Sequence, residues 1–192
     1  MKHHHLLRLA TLAMLLIAPA VQAHPQATSA GGLVSGLSHP FLGLDHLLAM
    51  VAVGLWAIQL GGSALWKVPL AFVFTMVIGS LISFTSISLP MMEPMIIASV
   101  MILGLIIAFK AHAAPVIASL LVAVFAVFHG YAHGVELPVT SSPVAYVVGF
   151  ALASLALHGI GMAVGLAGQQ TRMLLRGGGV AIAGAGLMMF II

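Results

Sequence analysis

The sequence predicts an all-α fold: a polytopic membrane protein in which a six-helix transmembrane bundle follows a cleavable signal peptide. Of the 192 residues, 62% are hydrophobic and only 5% are charged. A soluble domain needs about 25% charged residues to cover its surface, so lipid must be the main solvent of this chain. The lack of cysteine excludes disulfides and thiolate metal sites. The net charge of +3 is too diffuse to indicate a nucleic-acid partner.

Residues 1–23 have the layout of a secretory signal. A basic start, an apolar run and small residues predict cleavage after Ala23. The alternative is an uncleaved first membrane helix, although the apolar run is short for a span of ~20 residues. With cleavage, residues 24–192 form one membrane domain. Its first residue is then His24, whose free amine and imidazole are able to chelate a metal.

Six apolar segments follow, and each is near the ~20 residues that a helix needs to cross hydrocarbon. Short stretches rich in glycine, proline or glutamine separate them. The predicted spans are 40–60, 68–88, 94–110, 114–133, 143–167 and 173–192. Small residues in the last span, GGGVAIAGAG, favour close packing against a neighbouring helix.

The basic residues predict the orientation of these spans. Signal cleavage leaves the new N-terminus outside the cytoplasm, so the loops after spans one, three and five should be cytoplasmic. Cytoplasmic loops are enriched in Lys and Arg. The basic residues after residue 23 all fall in or beside those loops: Lys67, Lys110, Arg172 and Arg176. We therefore expect a multi-pass protein of the bacterial cytoplasmic membrane with both termini extracytoplasmic.

The first span carries the motif HPFLGLDH at residues 39–46. Pro40 suits the first position of a helix, which predicts that His39 is the cap and that Asp45 and His46 lie ~10 Å into the membrane. His39 and His46 would then share one face of a single helix. An acid at this depth costs up to ~3 kcal/mol, and such residues usually mark ion pathways or internal pairs.

The fourth span ends in a second polar motif, FHGYAHGVE. His129, His133 and Glu136 follow at helical spacing, so their side chains line one stripe at the same membrane level as the first motif. Histidine and carboxylate ligands together suit nickel, cobalt or zinc better than magnesium or calcium. Glu93, near the same surface, is either a solvated loop acid or an entry ligand. The predicted metal-binding residues are His39, Asp45, His46, Glu93, His129, His133 and Glu136.

Two further histidines are interpreted differently. His112 lies beside a cytoplasmic loop, and His158 is alone in the fifth span. A single membrane histidine is more often a hydrogen-bonded packing residue than a metal ligand. We expect that role for both, with a later position on an ion path as the alternative for His158.

The motifs HPFLGLDH and FHGYAHGVE resemble the signature segments of the HupE/UreJ family of nickel/cobalt permeases. The resemblance covers essentially the whole chain after the signal, and neither motif departs from the family pattern. It implies nickel or cobalt as the transported ion, with no tightly bound cofactor and no enzymatic activity. It points to the same residues: His39, Asp45 and His46 in the first motif, His129, His133 and Glu136 in the second, and Glu93 as a further acid.

The alternative function is a membrane-embedded zinc hydrolase that uses the HxxxH pair of the fourth span. No HExxH motif is present, and no nucleophile stands out. The sequence also lacks a GxxxxGK phosphate loop, so transport would be secondary, driven by an ion gradient or the membrane potential. It leaves open the choice between nickel and cobalt, the energy coupling, and whether the protein is a homo-oligomer.

Overall fold

The computed structural model describes residues 31–139, 141–168 and 172–191, and it confirms the all-helical prediction over that part of the chain. The predicted signal peptide and His24 lie outside the described residues. The helices within them are α1 Gly32–Leu42, α2 Leu44–Leu60, α3 Ala64–Ser83, α4 Met92–Phe109, α5 Pro115–Val135, α6 Pro143–Gly168 and α7 Arg172–Ile191.

Five of these helices, α3 to α7, are long and apolar enough to cross a membrane by length and composition. Helices α1 and α2 pass the same test only as a pair, and the pair is bent by 84° at its break. The described chain therefore offers five spans, or six if the bent pair counts as one. Helices α3 to α7 overlap the last five predicted spans over most of their length.

The prediction of one straight first helix beginning at Pro40 is wrong. Pro40 lies inside α1, and the helical path breaks at Gly43, which has extended backbone angles (φ −98°, ψ 119°). His39 therefore belongs to α1, while Asp45 and His46 occupy the first turn of α2. The prediction that His39 and His46 share one helical face is wrong for the same reason, and the membrane depth of Asp45 and His46 stays a prediction. The residues before Pro40 form a helix because Gly32 and Gly36 let α1 pack against α6.

Helix α2 is at the centre of the bundle. Most of its residues between Ala49 and Ile58 are fully buried, and it contacts α3, α4 and α6. The other close pairs are α3 with α5, α4 with α7, and α1 with α6. The apolar core therefore surrounds α2, which carries one of the two polar motifs at its beginning.

Glycines set the closest helix approaches. A methyl group on Gly130 of α5 would clash with the backbone carbonyl of Met76 on α3, and Gly104 of α4 meets Gly179 of α7. Lipid gives no hydrophobic drive for helix association, so such contacts stabilise the bundle through dispersion. The predicted packing role of the last span holds for Gly179 and Gly186, whereas Gly177, Gly178 and Gly184 have nothing within 4 Å of an added methyl group.

Basic side chains lie at one end of the bundle. The Arg176 Nε–H donates to the carbonyl of Ala108 (3.0 Å), and the Trp56 indole N–H donates to the carbonyl of Ala111 (3.3 Å). Lys110 directly follows α4 beside these contacts, and Lys67 lies in the first turn of α3. The two polar motifs lie at the other end, where α2 begins and α5 ends.

Candidate metal centre

Four histidines from three helices meet at the end of the bundle opposite the basic residues. The ring centroid of His46, on α2, lies 4.8 Å from that of His129 and 4.7 Å from that of His133. The ring of His39, on α1, lies 4.9 Å from His133 and 6.3 Å from His46. The two motifs therefore lie together in space, and the bend at Gly43 is what brings both ends of the first motif onto the second.

Helix α5 holds His129 and His133 one turn apart, so they share a face. Both side chains have 0% exposure. The adjacent Gly130 and Gly134 pack directly against α3, at Met76 and Ser80. These glycines therefore fix the position of the last turns of α5 against α3, and the two imidazoles turn inward toward α2.

Glu136 follows α5 directly and pairs with His39. The distance from His39 Nε2 to Glu136 Oε2 is 2.7 Å. This hydrogen bond keeps the pKa of the Glu136 carboxyl below its usual value, so the group is ionised at neutral pH. Both residues line a cleft of about 350 Å³, together with Leu42, Gly43, Asp45 and His46. The cleft therefore reaches the buried imidazole of His46.

Asp45 holds the ring of His46. Its Oδ1 accepts the backbone N–H of His46 (2.7 Å) and lies 2.8 Å from His46 Nδ1. If Nδ1 carries the proton, the Nε2 lone pair faces the cluster, where Nε2 is buried without a hydrogen-bond partner among the described residues. Carboxylates orient metal-binding histidines in this way. The geometry therefore gives Asp45 an orienting role, in addition to its place in the cleft.

Ser99 of α4 holds His129 from the other side. The Ser99 hydroxyl donates to the carbonyl of Ile96 (2.6 Å), and its oxygen lies 2.9 Å from His129 Nε2. Because the single hydroxyl hydrogen points to Ile96, the oxygen is free to accept the Nε2–H of His129. His129 Nδ1 is then unprotonated, and it too is buried without a partner in the described chain.

The cluster thus contains buried nitrogen atoms that the described protein does not satisfy: His46 Nε2, His129 Nδ1 and both ring nitrogens of His133. Buried polar groups are nearly always hydrogen-bonded, and each unsatisfied one costs about 1–3 kcal/mol. Imidazole lone pairs in this number suit a first-row divalent cation. The chemistry of the donor atoms fits the predicted ion.

The donors do not form a finished coordination shell. Within the described ranges, no group of three or more His, Asp or Glu side chains is arranged to hold a metal ion. The neighbouring ring centroids of the cluster lie between 4.7 Å and 6.3 Å apart, and the rings would have to reorient for their nitrogen atoms to share one cation. The metal-binding role of the seven predicted residues stays a prediction.

The remaining predicted residues lie apart from this cluster. Glu93 is exposed in the first turn of α4 and does not line the cleft. His112 is exposed near the basic end, where its Nδ1 lies 3.1 Å from the Lys110 carbonyl, in agreement with an ordinary hydrogen-bonded role. His158 is buried, and the hydrogen bond expected for it is not found among the described residues.

Sequence reasoning did not identify the neighbours that shape the cluster. Phe150 stacks on His133 with centroids 4.6 Å apart, and the ring of Tyr146 lies 5.7 Å from that of His39, with a buried hydroxyl that has no hydrogen-bond partner among the described residues. Ser99 was also missed. Tyr146 and Phe150 are one turn apart at the start of α6, but aromatic residues at that spacing are common in apolar helices. No signal in the sequence separated them from ordinary core residues.

Comparison with known proteins gives the family. A model described as "HupE / UreJ protein" matches residues 12–189, most of the chain. The chain belongs to the HupE/UreJ family. "Protein HupE" from Rhizobium leguminosarum bv. viciae is 46% identical over 183 residues, which cover 93% of this chain and 95% of the relative. No solved structure matches. The resemblance inferred from the two motifs is confirmed. HupE/UreJ proteins are in general nickel/cobalt transporters, which fits a non-enzyme and does not favour the hydrolase.

Proposed function

We propose that the protein is a secondary permease that carries nickel, or alternatively cobalt, across the bacterial cytoplasmic membrane through the histidine cluster. One observation carries the proposal: His46, His129 and His133 present buried ring nitrogens that have no partner in the described protein. A packing role would satisfy these atoms, whereas a passing cation needs them free. Family membership supports the same conclusion.

The proposed path begins at the cleft beside His39 and Glu136. The carboxylates of Asp45 and Glu136 attract a hydrated cation, and the neutral imidazoles below replace its water ligands. The His39 to Glu136 hydrogen bond must open when either atom coordinates the ion. The two residues are therefore suited to admit the cation and to close behind it.

The basic end of the bundle supports the orientation. Lys67, Lys110 and Arg176 lie opposite the cluster, and basic residues favour the cytoplasmic side. The histidine cluster then faces the extracytoplasmic side, and the cation moves inward. A negative interior contributes about 2.3 kcal/mol per charge per 100 mV to this movement, so the chain needs no nucleotide site.

The test is nickel uptake by cells that produce His46→Ala, with His112→Ala as the matched control. The ring of His46 lies within 4.8 Å of the rings of both histidines of α5, whereas His112 lies exposed at the other end. We expect accumulation of radioactive nickel to fall by about tenfold or more in His46→Ala, because an essential ligand is lost, and to stay unchanged in His112→Ala. Normal uptake by His46→Ala at equal membrane protein levels would contradict the proposal. Repeating the assay with cobalt as competitor distinguishes the two ions.

A further inference from the structure

His158 is the one buried histidine of the described chain that lies outside the cluster. Its side chain is 1% exposed, and neither Nδ1 nor Nε2 has a hydrogen-bond partner among the described residues. It is the sixteenth residue of α6, about 22 Å along the helix at 1.5 Å per residue. His158 is therefore close to the middle of the membrane-spanning bundle.

A structural role does not explain this side chain. An unsatisfied buried polar group costs about 1–3 kcal/mol, and an apolar residue of similar size would avoid that cost. The chain uses such residues at most buried positions. His158 contributes no hydrogen bond to the described structure in return. Its nitrogen atoms are thus available to a group that the protein itself does not supply.

Phe72 connects His158 with the cluster. The centroid of the Phe72 ring lies 5.5 Å from that of His129 and 5.3 Å from that of His158. A single aromatic ring therefore separates the innermost histidine of the cluster from His158. One turn before His158 on α6, the buried Ser154 hydroxyl donates to the sulfur of Met76 (3.8 Å). The Ser154 hydroxyl and the Met76 sulfur therefore lie farther into the bundle than the cluster does.

The surroundings of His158 differ from the cluster in charge. The chain has three acidic residues, Asp45, Glu93 and Glu136, and all of them lie at the end of the bundle where α2 and α4 begin and α5 ends. No carboxylate is available at the depth of His158. A cation bound there would be held by a neutral imidazole, and therefore less tightly than at the cluster. Weak binding at His158 favours release of the ion from this position, since a site that binds too tightly would trap it.

We propose that His158 is an inner binding site for the divalent transition-metal ion. The ion passes from His129 to His158 past the ring of Phe72 and is then released at the basic end of the bundle. The inference rests on the proposed transport function and adds a second site to it. His129 and His158 act in sequence, and Phe72 moves aside to let the ion pass.

The first test separates binding from transport in purified protein. His158→Leu removes the unsatisfied nitrogens and keeps an apolar side chain, so we expect it to fold at least as well as wild type. Cobalt or nickel binding at the cluster, measured by titration in detergent, should stay within about twofold. Metal flux into proteoliposomes should fall by about tenfold or more, the scale of losing a ligand interaction. Unchanged flux in His158→Leu would overturn the inference. A lower thermal stability of His158→Leu, with a loss of flux no larger than the loss of folded protein, would overturn it as well.

The second test places a reporter at the same position. The chain has no cysteine, so His158→Cys introduces the single thiol of the protein. With Co²⁺ bound, we expect a thiolate-to-cobalt charge-transfer absorption band, and none in Ala153→Cys, a matched buried position on the same helix. Absence of the band in folded His158→Cys that still binds cobalt would overturn the inference. If wild type neither binds nor transports either ion, the proposed function fails instead, which the wild-type arm shows directly.

Discussion

The Nε2 atom of His39 lies 2.7 Å from Oε2 of Glu136, although the two residues are 97 positions apart. This hydrogen bond joins the outermost members of the two motifs, and it connects α1 to the end of α5. Each of the two atoms is also a predicted ligand. A cation at the cleft therefore competes with a contact inside the protein, and the affinity of the cleft depends on how easily that contact opens.

The first prediction concerns the charge of Glu136. Glu136→Gln keeps the size of the side chain and its hydrogen-bonding ability but removes the negative charge. We expect nickel affinity, measured by calorimetric titration of purified protein, to fall by about tenfold or more. Glu93→Gln is the matched control, since it removes an acid outside the cleft. Equal affinities of wild type and Glu136→Gln would exclude Glu136 from the site.

The second prediction concerns Glu93 as an entry ligand. Its carboxylate is exposed and does not line the cleft, so we expect it to act by attracting the ion before binding. Glu93→Gln should raise the apparent KM of uptake by a few-fold at low ionic strength and leave the equilibrium Kd unchanged. The difference should diminish in high salt. A changed Kd would instead place Glu93 in the binding site.

The third prediction concerns the tautomer of His129. Ser99→Ala removes the acceptor for the Nε2–H, so the ring loses the bond that leaves Nδ1 unprotonated. We expect metal affinity to fall by about 10- to 100-fold, the usual effect of removing such a partner. Ser99→Thr keeps the hydroxyl and should restore binding. Ser119→Ala, on the half of α5 away from the cluster, should behave as wild type; if both alanine variants lose binding, the effect is not specific to His129.

The fourth prediction concerns helix packing near the cluster. Any side chain at Gly130 would meet the backbone of Met76, so Gly130→Ala forces α5 away from α3. We expect a loss of about 1–3 kcal/mol in unfolding free energy, the usual cost of overpacking. Gly159→Ala is the control, because nothing lies within 4 Å of the added methyl group and alanine favours helix by about 0.5–1 kcal/mol. Thermal unfolding in detergent measures both; equal stability of the two variants would contradict the close contact.

The fifth prediction concerns pH. The pKa of Glu136 lies below its usual value because of the His39 hydrogen bond, so the carboxylate stays ionised until the pH falls below the ordinary carboxyl range. Any stability from this lowered pKa is present above that range and is lost only in stronger acid. Metal affinity should nevertheless weaken as the solution is made more acidic, because protons compete with the metal for imidazole lone pairs. Glu136→Gln should bind more weakly with the same pH slope; a flattened slope would assign the titration to Glu136.

The spans and the two motifs were predictable from the sequence. Runs of apolar residues near the length of the hydrocarbon core identify α3 to α7, because a membrane leaves a buried chain few alternatives to helix. The spacing of His129 and His133 placed them on one face for the same reason, since both lie within α5, whereas Glu136 is the residue that follows the helix. The membership of this chain in the HupE/UreJ family was also predictable from the residues of the two motifs.

The first motif was predictable in composition but not in shape. Pro40 is compatible with the beginning of a helix and also with its last turn, and the sequence does not decide between the two. The contact of Gly32 and Gly36 with α6 makes the residues before Pro40 helical. That contact joins residues more than a hundred positions apart, so no local pattern in the sequence predicts it.

The sequence by itself determined which donor atoms this protein has and roughly which end of which helix carries them. Only the tertiary structure decided that the chain bends by 84° between α1 and α2, that Asp45 and Ser99 orient the rings of His46 and His129, and that His158 lies behind Phe72 with both nitrogens unpaired among the described residues. The physical reason is that composition and helical periodicity are local properties of the chain. The partners of a buried imidazole are set by which helices pack together, and that depends on contacts distributed over the whole bundle.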